Sequence, residues 1–212
     1  AARFERDAIS VSRTVELRLN AHLDALDAMH SIYVASSNVD SREFERASAG
    51  WLRKLPSVQA IGWHERVARQ DLPAFEASLR SLGQPDYRVF ERDSALSAND
   101  SELMVMRYIE PRAGNDTALG VNALSIRAAR EAIARARLND GATVTPGFRL
   151  TQETAQQTGV VVYRAVYRGD EPSRSLQGMV FITLRMEDAL ARLAVGAPRY
   201  LQFCLLDSDS PP

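Results

Sequence analysis

The three histidines of this 212-residue chain could serve acid–base chemistry or bind a metal, but their spacing favours neither use. His22 and His30 lie eight residues apart, whereas zinc ligands on a helix usually lie three or four residues apart. We therefore expect both to be surface or interface residues. His64 precedes Glu65 in a predicted β-strand, where neighbouring side chains point to opposite faces, so the two cannot act as a dyad.

No other motif indicates catalysis. The sequence has no Gly-x-Ser-x-Gly, Walker or Gly-x-Gly-x-x-Gly motif and no paired acidic signature. Its single cysteine, Cys204, excludes an intrachain disulfide and a cysteine-based zinc site, and its apolar neighbours predict a buried side chain. The 26 basic and 27 acidic residues give a net charge of −1, which leaves no basic excess for nucleic-acid phosphates. We predict a protein that is not an enzyme, has no cofactor or metal, and does not bind nucleic acid.

The elements that position the remaining candidates begin with one long predicted helix over residues 3–36. Apolar residues recur at steps of three and four on one of its faces, at Val11, Val15, Leu19, Leu23, Leu26, Met29 and Tyr33. Such a helix spans about 50 Å, which is more than one small domain can cover. We expect its N-terminal part to form a homodimer seam. The alternative is a helix that lies entirely on its own sheet.

The rest of the chain alternates between short helices and strands. Asp40 and Glu43 have the spacing of a capping box, which predicts a second helix. Further helices are predicted over 71–82, 125–138 and 187–193, with Ser125 as a cap. Strands are predicted over 57–67, 87–91, 104–109, 118–121, 142–150, 159–167, 178–184 and 200–206, with a loop over 92–102 and a linker over 168–175. This order lacks regular βαβ units and predicts an α+β fold with mainly antiparallel sheets.

Short motifs in the central part of the chain resemble one known family in order and spacing. Phe44 is followed by Val-Gln-Ala-Ile-Gly-Trp (58–63), Tyr-Ile-Glu-Pro (108–111), Leu-Gly-Val-Asn (119–122), Phe-Arg-Leu (148–150) and Val-Val-Val-Tyr (160–163). This arrangement resembles the CHASE domain family, the extracytoplasmic sensor modules of bacterial histidine kinases and diguanylate cyclases and of plant cytokinin receptors. The resemblance runs from Phe44 to Tyr167.

The resemblance implies a long helix followed by two PAS-like domains. Residues 1–38 would form a stalk and dimerisation helix, 39–167 a membrane-distal ligand-binding domain, and 168–212 a membrane-proximal domain that is short or truncated. The parent protein would be anchored in the inner membrane at both ends of this periplasmic module, and the chain's abrupt start in mid-helix fits an excised fragment. The ligand would be a cytokinin-like adenine derivative or a small carboxylate. The alternatives are a protein–protein interaction or dimerisation module without a small-molecule ligand, and a soluble α+β enzyme.

The resemblance also implies ligand-binding residues: Trp63, Tyr108, Asn122, Ala129, Arg130, Thr145, Phe148 and Tyr163. Thr145 matches a pocket-strand threonine of the plant receptors. Tyr163 stands where they carry a small hydroxyl residue, so it would shrink or reshape the cavity. Ala129 stands where they place the aspartate that binds adenine, and Arg130 beside it would favour an anion.

Some of these positions have two interpretations. Trp63 would either line the ligand pocket or be a buried structural residue. Tyr108 would either supply a hydroxyl to the ligand or be an ordinary aromatic residue of its strand. For Asn122, a structural role in the turn into the next helix is favoured over a role in ligand binding. We expect the aromatic and threonine members of the set to line one cavity. Ligand binding there would repack the sheet against the long helix.

Overall fold

The chain begins with the long helix that its apolar periodicity predicts. Helix α1 runs over Ala2–Ala35, and its buried residues all lie in its second half: His22, Ala25, Leu26, Met29 and Tyr33. His22, which we expected at a surface or an interface, is 4% exposed and hydrogen-bonds to Ser57. The computed structural model describes residues 2–139, 141–152, 158–170, 173–193 and 195–202.

The last described residues return along the exposed half of α1. Arg18 Nη1 donates to the carbonyl oxygens of Arg192 and Val195, at 3.0 and 3.1 Å. Val11 and residues 195–198 line a cavity of about 340 Å³ between the two segments. Part of the apolar stripe that we predicted as a dimer seam therefore faces the chain's own C-terminal segment.

Helix α2 (Ser41–Lys54) begins with the predicted capping box. Asp40 Oδ1 accepts from the Glu43 N–H at 2.8 Å, and Glu43 Oε2 accepts from the Asp40 N–H at 3.0 Å. The other helices are α3 (Leu72–Ser81), α4 (Ser94–Ser97), α5 (Arg127–Leu138) and α6 (Met186–Leu193), with 3₁₀ turns at Arg69–Asp71, Asp116–Ala118 and Ala123–Ser125. None of the helices in the described part of the chain combines the length and the apolar character needed to cross a bilayer.

Five antiparallel strands form one sheet in the order β2-β1-β5-β4-β3. They are β1 (Val58–Ala68), β2 (Glu102–Glu110), β3 (Thr143–Val144), β4 (Gly159–Arg168) and β5 (Ser175–Arg185). Together with the long N-terminal helix and the shorter helices, this arrangement confirms the predicted α+β class with antiparallel pairing.

Strand β5 lies in the middle of this sheet, paired with β1 on one side and with β4 on the other. Residues 178–184 of β5 are all buried. The predicted boundary between two PAS-like domains, after Tyr167, therefore falls inside one sheet, and the predicted linker is the connection between β4 and β5. The sequence does not reveal this position because strand partners are chosen by contacts between residues far apart in the chain.

Several predicted strands are shorter in the structure. Residues 87–91 and 118–121 make one isolated bridge, between Phe90 and Val121, instead of two strands. The strand predicted over 142–150 is reduced to β3 and a bridge at Phe148, because Pro146 has no N–H to donate to a ladder. Residues 200–202 are turn and irregular backbone. The rest of the strand predicted over 200–206, with Cys204, lies outside the described residues.

The segment predicted as a loop over residues 92–102 contains the short helix α4. Arg69 holds this segment by donating to the carbonyl oxygens of Ser97 and Asp100, both at 2.7 Å. The helix predicted from Ser125 begins instead after Ile126. Ser125 does not cap α5, because its hydroxyl oxygen accepts from the Arg92 N–H at 2.9 Å while its hydrogen is donated to the Asn122 carbonyl at 2.7 Å.

The sheet carries one large hydrophobic core on each face, and we name each face by the helix that covers it; a smaller third core packs α3 against β1 and β2 through Leu79, Val67, Leu103 and Val105. On the α5 face, buried sheet residues pack against the small side chains of α5; the sheet residues are Ala60, Met104, Met106, Tyr163, Ala165, Met179 and Phe181. On the α1 face, the sheet packs against α1 and α2 through Ile61, Trp63, Tyr108, Val162, Val166, Val180 and Ile182. The predicted ligand-binding residues on the strands therefore fall into two groups, one on each face of the sheet.

Candidate functional site

Two consecutive residues of β1 point to opposite faces of the sheet. Trp63 stacks on Tyr33 of α1, with ring centroids 3.9 Å apart and planes inclined by 17°. His64 lies on the α5 face, 4.5 Å from the Phe181 ring and 5.7 Å from the Tyr163 ring. This follows from the two-residue period of a strand, which alternates side chains between the faces.

Two glycines make room for these rings. A Cβ at Gly62 would lie 2.1 Å from Phe181 Cζ, so the ring beside His64 covers the bare backbone of the Ile-Gly-Trp motif. A Cβ at Gly178 would lie 2.6 Å from Trp63 Cζ2, so the indole lies over β5 in the same way on the other face. Each aromatic group is thus fixed against the sheet by a close approach that only glycine allows.

His64 is the most unusual polar group of the α5 face. Its side chain is 2% exposed, and neither ring nitrogen has a hydrogen-bond partner within the described residues. Burial lowers the pKa of His64 to about 3, so the ring is neutral at physiological pH. A buried polar group without a partner loses free energy relative to one in water, and native proteins contain few of them. The neutral imidazole offers one donor and one acceptor to a molecule that could reach it.

Tyr163, from the predicted set, lies beside His64 on β4. Its ring is 2% exposed, and burial raises the pKa of its hydroxyl, which therefore stays protonated. Ala129, also on the α5 face, is fully buried within the helix that covers the sheet. These two predicted residues and His64 share one face and one hydrophobic core.

Thr145 and Phe148 lie at the edge of the same face. Thr145 Oγ1 accepts from the Val161 N–H at 3.0 Å, and its own N–H donates to the Val161 carbonyl at 2.9 Å, so it extends the pairing of β3 with β4. Phe148 packs against the α5-face core and lines a cavity of about 440 Å³ at the start of α5. Arg149, the next residue in the chain, is exposed.

Arg130 and Asn122 serve the local structure. Arg130 is ion-paired with Asp100, and its guanidinium also donates to the carbonyl oxygens of Leu124 (2.8 Å) and Leu96 (3.1 Å). Asn122 is buried, and its Oδ1 accepts from two backbone N–H groups, at 3.1 and 3.2 Å. Asn122 Nδ2 donates to a Glu91 oxygen at 3.1 Å. The contacts of Asn122 support the interpretation that it stabilises the turn before α5. The contacts of Arg130 engage the guanidinium that we expected to attract an anion.

Tyr108 and Trp63 do not join the α5-face residues. The Tyr108 hydroxyl donates to the Val39 carbonyl at 3.3 Å, and its ring lies 5.4 Å from the Phe44 ring. The sheet therefore separates the residues that we expected to line one cavity into two groups. The expectation was wrong in this respect because a ligand on one face cannot contact side chains on the other.

The space between the sheet and α5 is filled by side chains. Large residues with no more than 5% exposure occupy it: Met104, Met106, Met179, Phe181 and Ile133. His64, which alternation in β1 excludes from a dyad with Glu65, is not among the ligand-binding residues that the sequence predicts. The signal was present, because Ala60, Gly62 and His64 alternate along β1 and place an imidazole on an otherwise apolar face.

Within the described residues, no group of three or more His, Cys, Asp or Glu side chains could hold a metal ion. The geometry thus presents an α+β domain in which one antiparallel sheet is covered by a long helix on one face and by a shorter one on the other. A family model for the CHASE domain matches residues 37–212, and the chain therefore belongs to the CHASE domain family. CHASE domains are sensory domains of signalling receptors and are not catalytic. No curated protein matches the chain significantly.

Proposed function

We propose that this domain is the extracytoplasmic sensor of a bacterial transmembrane receptor of the histidine kinase or diguanylate cyclase type. Its small-molecule ligand would bind on the α5 face, beside His64 and Tyr163. Family membership supports the sensory role. The observation that carries the site is the buried His64 ring, whose two nitrogens lack partners among the described residues.

The chemistry of this face favours an uncharged ligand. The His64 ring is neutral, and its neighbours Phe181 and Tyr163 are aromatic. Arg130 is engaged by Asp100 and by two carbonyl oxygens, so it offers no free charge to an anion. A planar heterocycle that carries both an acceptor and a donor, such as an adenine derivative, could bond to either ring nitrogen of His64, whichever of the two it reaches. We therefore place a neutral heterocycle, and not a small carboxylate, at this face.

Ligand entry requires α5 to move, because side chains now fill the space beneath it. Helix α5 faces the sheet through three alanines and Ile133, so the helix itself brings only one bulky side chain to this space, and most of the side chains that must rotate belong to the sheet. Movement at His64 would reach Trp63 through one peptide unit and then Tyr33 of α1 through the ring stack. A ligand would shift the receptor between two states only by its different affinity for each.

A thermal-shift screen tests the site. Purines, cytokinins and small organic acids are added to the wild-type domain, to His64→Phe and to His22→Phe. A ligand at 100 times its Kd should raise the free energy of unfolding by about 2.7 kcal/mol. We expect a purine-like compound to raise the Tm of the wild type and of His22→Phe but not that of His64→Phe. A heterocycle-induced shift that persists in His64→Phe, or no shift with any heterocycle, would contradict the proposal.

A second candidate function, homodimerisation through α1, has its own observation. Ile9 and Leu17 are 53% and 71% exposed on the half of α1 that the sheet does not cover. Two copies of α1 could bury these side chains against each other. Sedimentation velocity of the wild type, Leu17→Gln and the control Leu82→Gln, exposed on α3's C-terminal side at 69%, tests this. Only Leu17→Gln should weaken the dimer, and a wild type that stays monomeric at all concentrations argues against it.

A further inference from the structure

A β-bulge redirects an arginine at the point where α1 meets the sheet. In the pairing of β1 with β2, Trp63 faces Tyr108 and His64 faces Met106, which leaves Arg107 as the extra residue of β2. Arg107 therefore joins Tyr108 on the α1 face, where its guanidinium lies 5.1 Å from the Tyr108 ring centroid. Bulges of this kind re-aim a side chain and occur often beside functional sites.

The redirected arginine lines a cavity of about 230 Å³ at the C-terminal end of α1, which we call the α1-end pocket. Tyr33 and Trp63 provide its stacked aromatic wall, and Glu65 accepts from Arg107 Nη1 at 2.5 Å. The charged side chains around the pocket are three arginines and one glutamate: Arg66, Arg107, Arg168 and Glu65. The pocket is thus cationic overall.

Each of the three arginines already has a partner, and the partners of Arg168 are carbonyl oxygens of the pocket wall itself. Arg66 is ion-paired with Glu102. Arg168 Nη2 donates to the carbonyl oxygens of Ser36 and Ser37, at 2.9 and 3.0 Å. Arg107 is ion-paired with Glu65 through Nη1, but its Nε has no hydrogen-bond partner within the described residues, and this N–H is the donor that a ligand would engage.

The Tyr33 hydroxyl is the second group with unused capacity. Tyr33 is 9% exposed, and its hydroxyl has no partner within the described part of the chain. Burial raises the pKa of Tyr33, so the hydroxyl remains a donor. A neutral O–H and a guanidinium N–H are a donor pair suited to a carboxylate, which accepts on both oxygens.

We propose that the α1-end pocket binds a small carboxylate, held by the Arg107 guanidinium and the Tyr33 hydroxyl beneath the last turns of α1. The pocket is smaller than the roughly 300–1,000 Å³ of sites for drug-sized ligands, which restricts it to compact acids. Side-chain rotations of the usual size on binding bring both donors to the ligand. This site lies on the opposite face from His64 and is independent of the heterocycle site there.

The consequence is a direct connection between the ligand and the long helix. Tyr33 belongs to α1, whereas Arg107 belongs to β2, so one carboxylate bridges the helix and the sheet. A bound acid would strengthen that junction, and its loss would release the last turns of α1. The acid would act on the same helix that the α5-face ligand reaches through Trp63.

Tryptophan fluorescence tests the proposal, because Trp63 lines the pocket. Trp51→Phe is the background, since Trp51 is the other tryptophan of the chain. Acetate, pyruvate, succinate, benzoate and inorganic phosphate are titrated at constant ionic strength, with calorimetry as the second readout. We expect one carboxylate to give saturable binding, weakened roughly tenfold or more by Tyr33→Phe and by Arg107→Gln.

The controls separate the pocket from general effects. Arg112→Gln removes an exposed arginine that pairs with Asp116 outside the pocket, and it should leave the Kd unchanged. His64→Phe should also leave it unchanged, because that residue lies on the other face. Tyr33→Phe deletes only a hydroxyl that has no partner within the described residues, so this variant should fold and keep the test informative. No saturable binding of any carboxylate, equal affinity for phosphate, or affinity unaffected by Tyr33→Phe would each overturn the proposal.

Discussion

His22 and His64 are buried to nearly the same extent, 4% and 2% exposed, yet the hydrogen bonding of their rings is opposite. His22 Nδ1 contacts the Arg18 carbonyl and Nε2 contacts the Ser57 hydroxyl, both at 2.7 Å. Both nitrogens of His64 lack partners within the described residues. Burial alone therefore does not explain why the His64 nitrogens lack partners within the described residues. A comparison of the two residues isolates the free-energy cost of the hydrogen bonds that His64 does not make.

Replacement of each histidine by phenylalanine should change stability in opposite directions. His64→Phe keeps an aromatic ring and removes two unpartnered polar atoms, so the free energy of unfolding should rise by about 1–2 kcal/mol. His22→Phe removes two hydrogen bonds and leaves the Ser57 hydroxyl without its partner, so the free energy of unfolding should fall by about 1–2 kcal/mol. Urea denaturation without ligand measures both. A loss of stability in His64→Phe as large as in His22→Phe would mean that the structure meets His64's bonding needs in some other way.

Stability should fall in acid because of His64. The folded protein keeps the ring neutral down to about pH 3, whereas the unfolded chain protonates it near its ordinary pKa of 6.5. The unfolded state binds the extra proton, so this titration does not affect the free energy of unfolding well above pH 6.5 and lowers it progressively as the pH falls below 6.5. Between about pH 7.5 and pH 5, wild type should lose about 2 kcal/mol relative to His64→Phe. Parallel urea midpoints for the two proteins across that range would refute the assignment.

Gly62 should not tolerate a methyl group. A Cβ there would lie 2.1 Å from Phe181 Cζ and 2.8 Å from the Tyr108 carbonyl oxygen, so Gly62→Ala should lower the free energy of unfolding by about 2–3 kcal/mol. A Cβ added to Gly50 of α2 would have no described atom within 4 Å, so Gly50→Ala should raise the free energy of unfolding by about 0.5–1 kcal/mol. Chemical denaturation of the two variants provides the comparison. Equal effects would show that the ring of Phe181 moves aside freely.

Arg130 should matter for stability and not for ligand binding. Arg130→Gln breaks the pair with Asp100 and the bonds that hold Leu96 and Leu124, so we expect a loss of about 2 kcal/mol. Arg127→Gln changes an exposed residue of the same helix and should shift stability by less than about 0.5 kcal/mol. Heterocycle titrations of both variants should give the wild-type Kd. A large change for Arg130→Gln alone would restore it as a ligand-binding residue.

Local patterns predicted the elements better than the site. The period of α1, the capping box of Asp40 and the apolar run of β1 are set by neighbours in sequence, and all are found in the structure. The position of β5 at the centre of the sheet depends on pairing across more than a hundred residues, and no local pattern records it. The Tyr87–Glu91 segment alternates like a strand, yet Tyr87 uses its hydroxyl on the Met106 carbonyl, and the segment makes only one bridge.

The sequence also could not predict how the candidate residues are divided between the two faces of the sheet, for a related reason. Alternation separates Trp63 from His64, but it does not say which face a helix will cover. The bulge at Arg107 shifts the alternation of β2 by one residue, so that Tyr108 joins Trp63 and not the α5-face group. A resemblance to a family aligns residues by position along the chain, whereas a binding site depends on the side of the sheet to which each one points.

The return of the chain along α1 has a mechanical consequence. Strand β5 leads directly into α6, and Arg18 fastens the residues around the end of α6 to the first half of α1. The second half of α1 is attached to the same sheet by the Tyr33–Trp63 stack. Helix α1 is thus held at two points along its length, so we expect a displacement of the sheet to carry the whole helix with it instead of tilting the helix about one point.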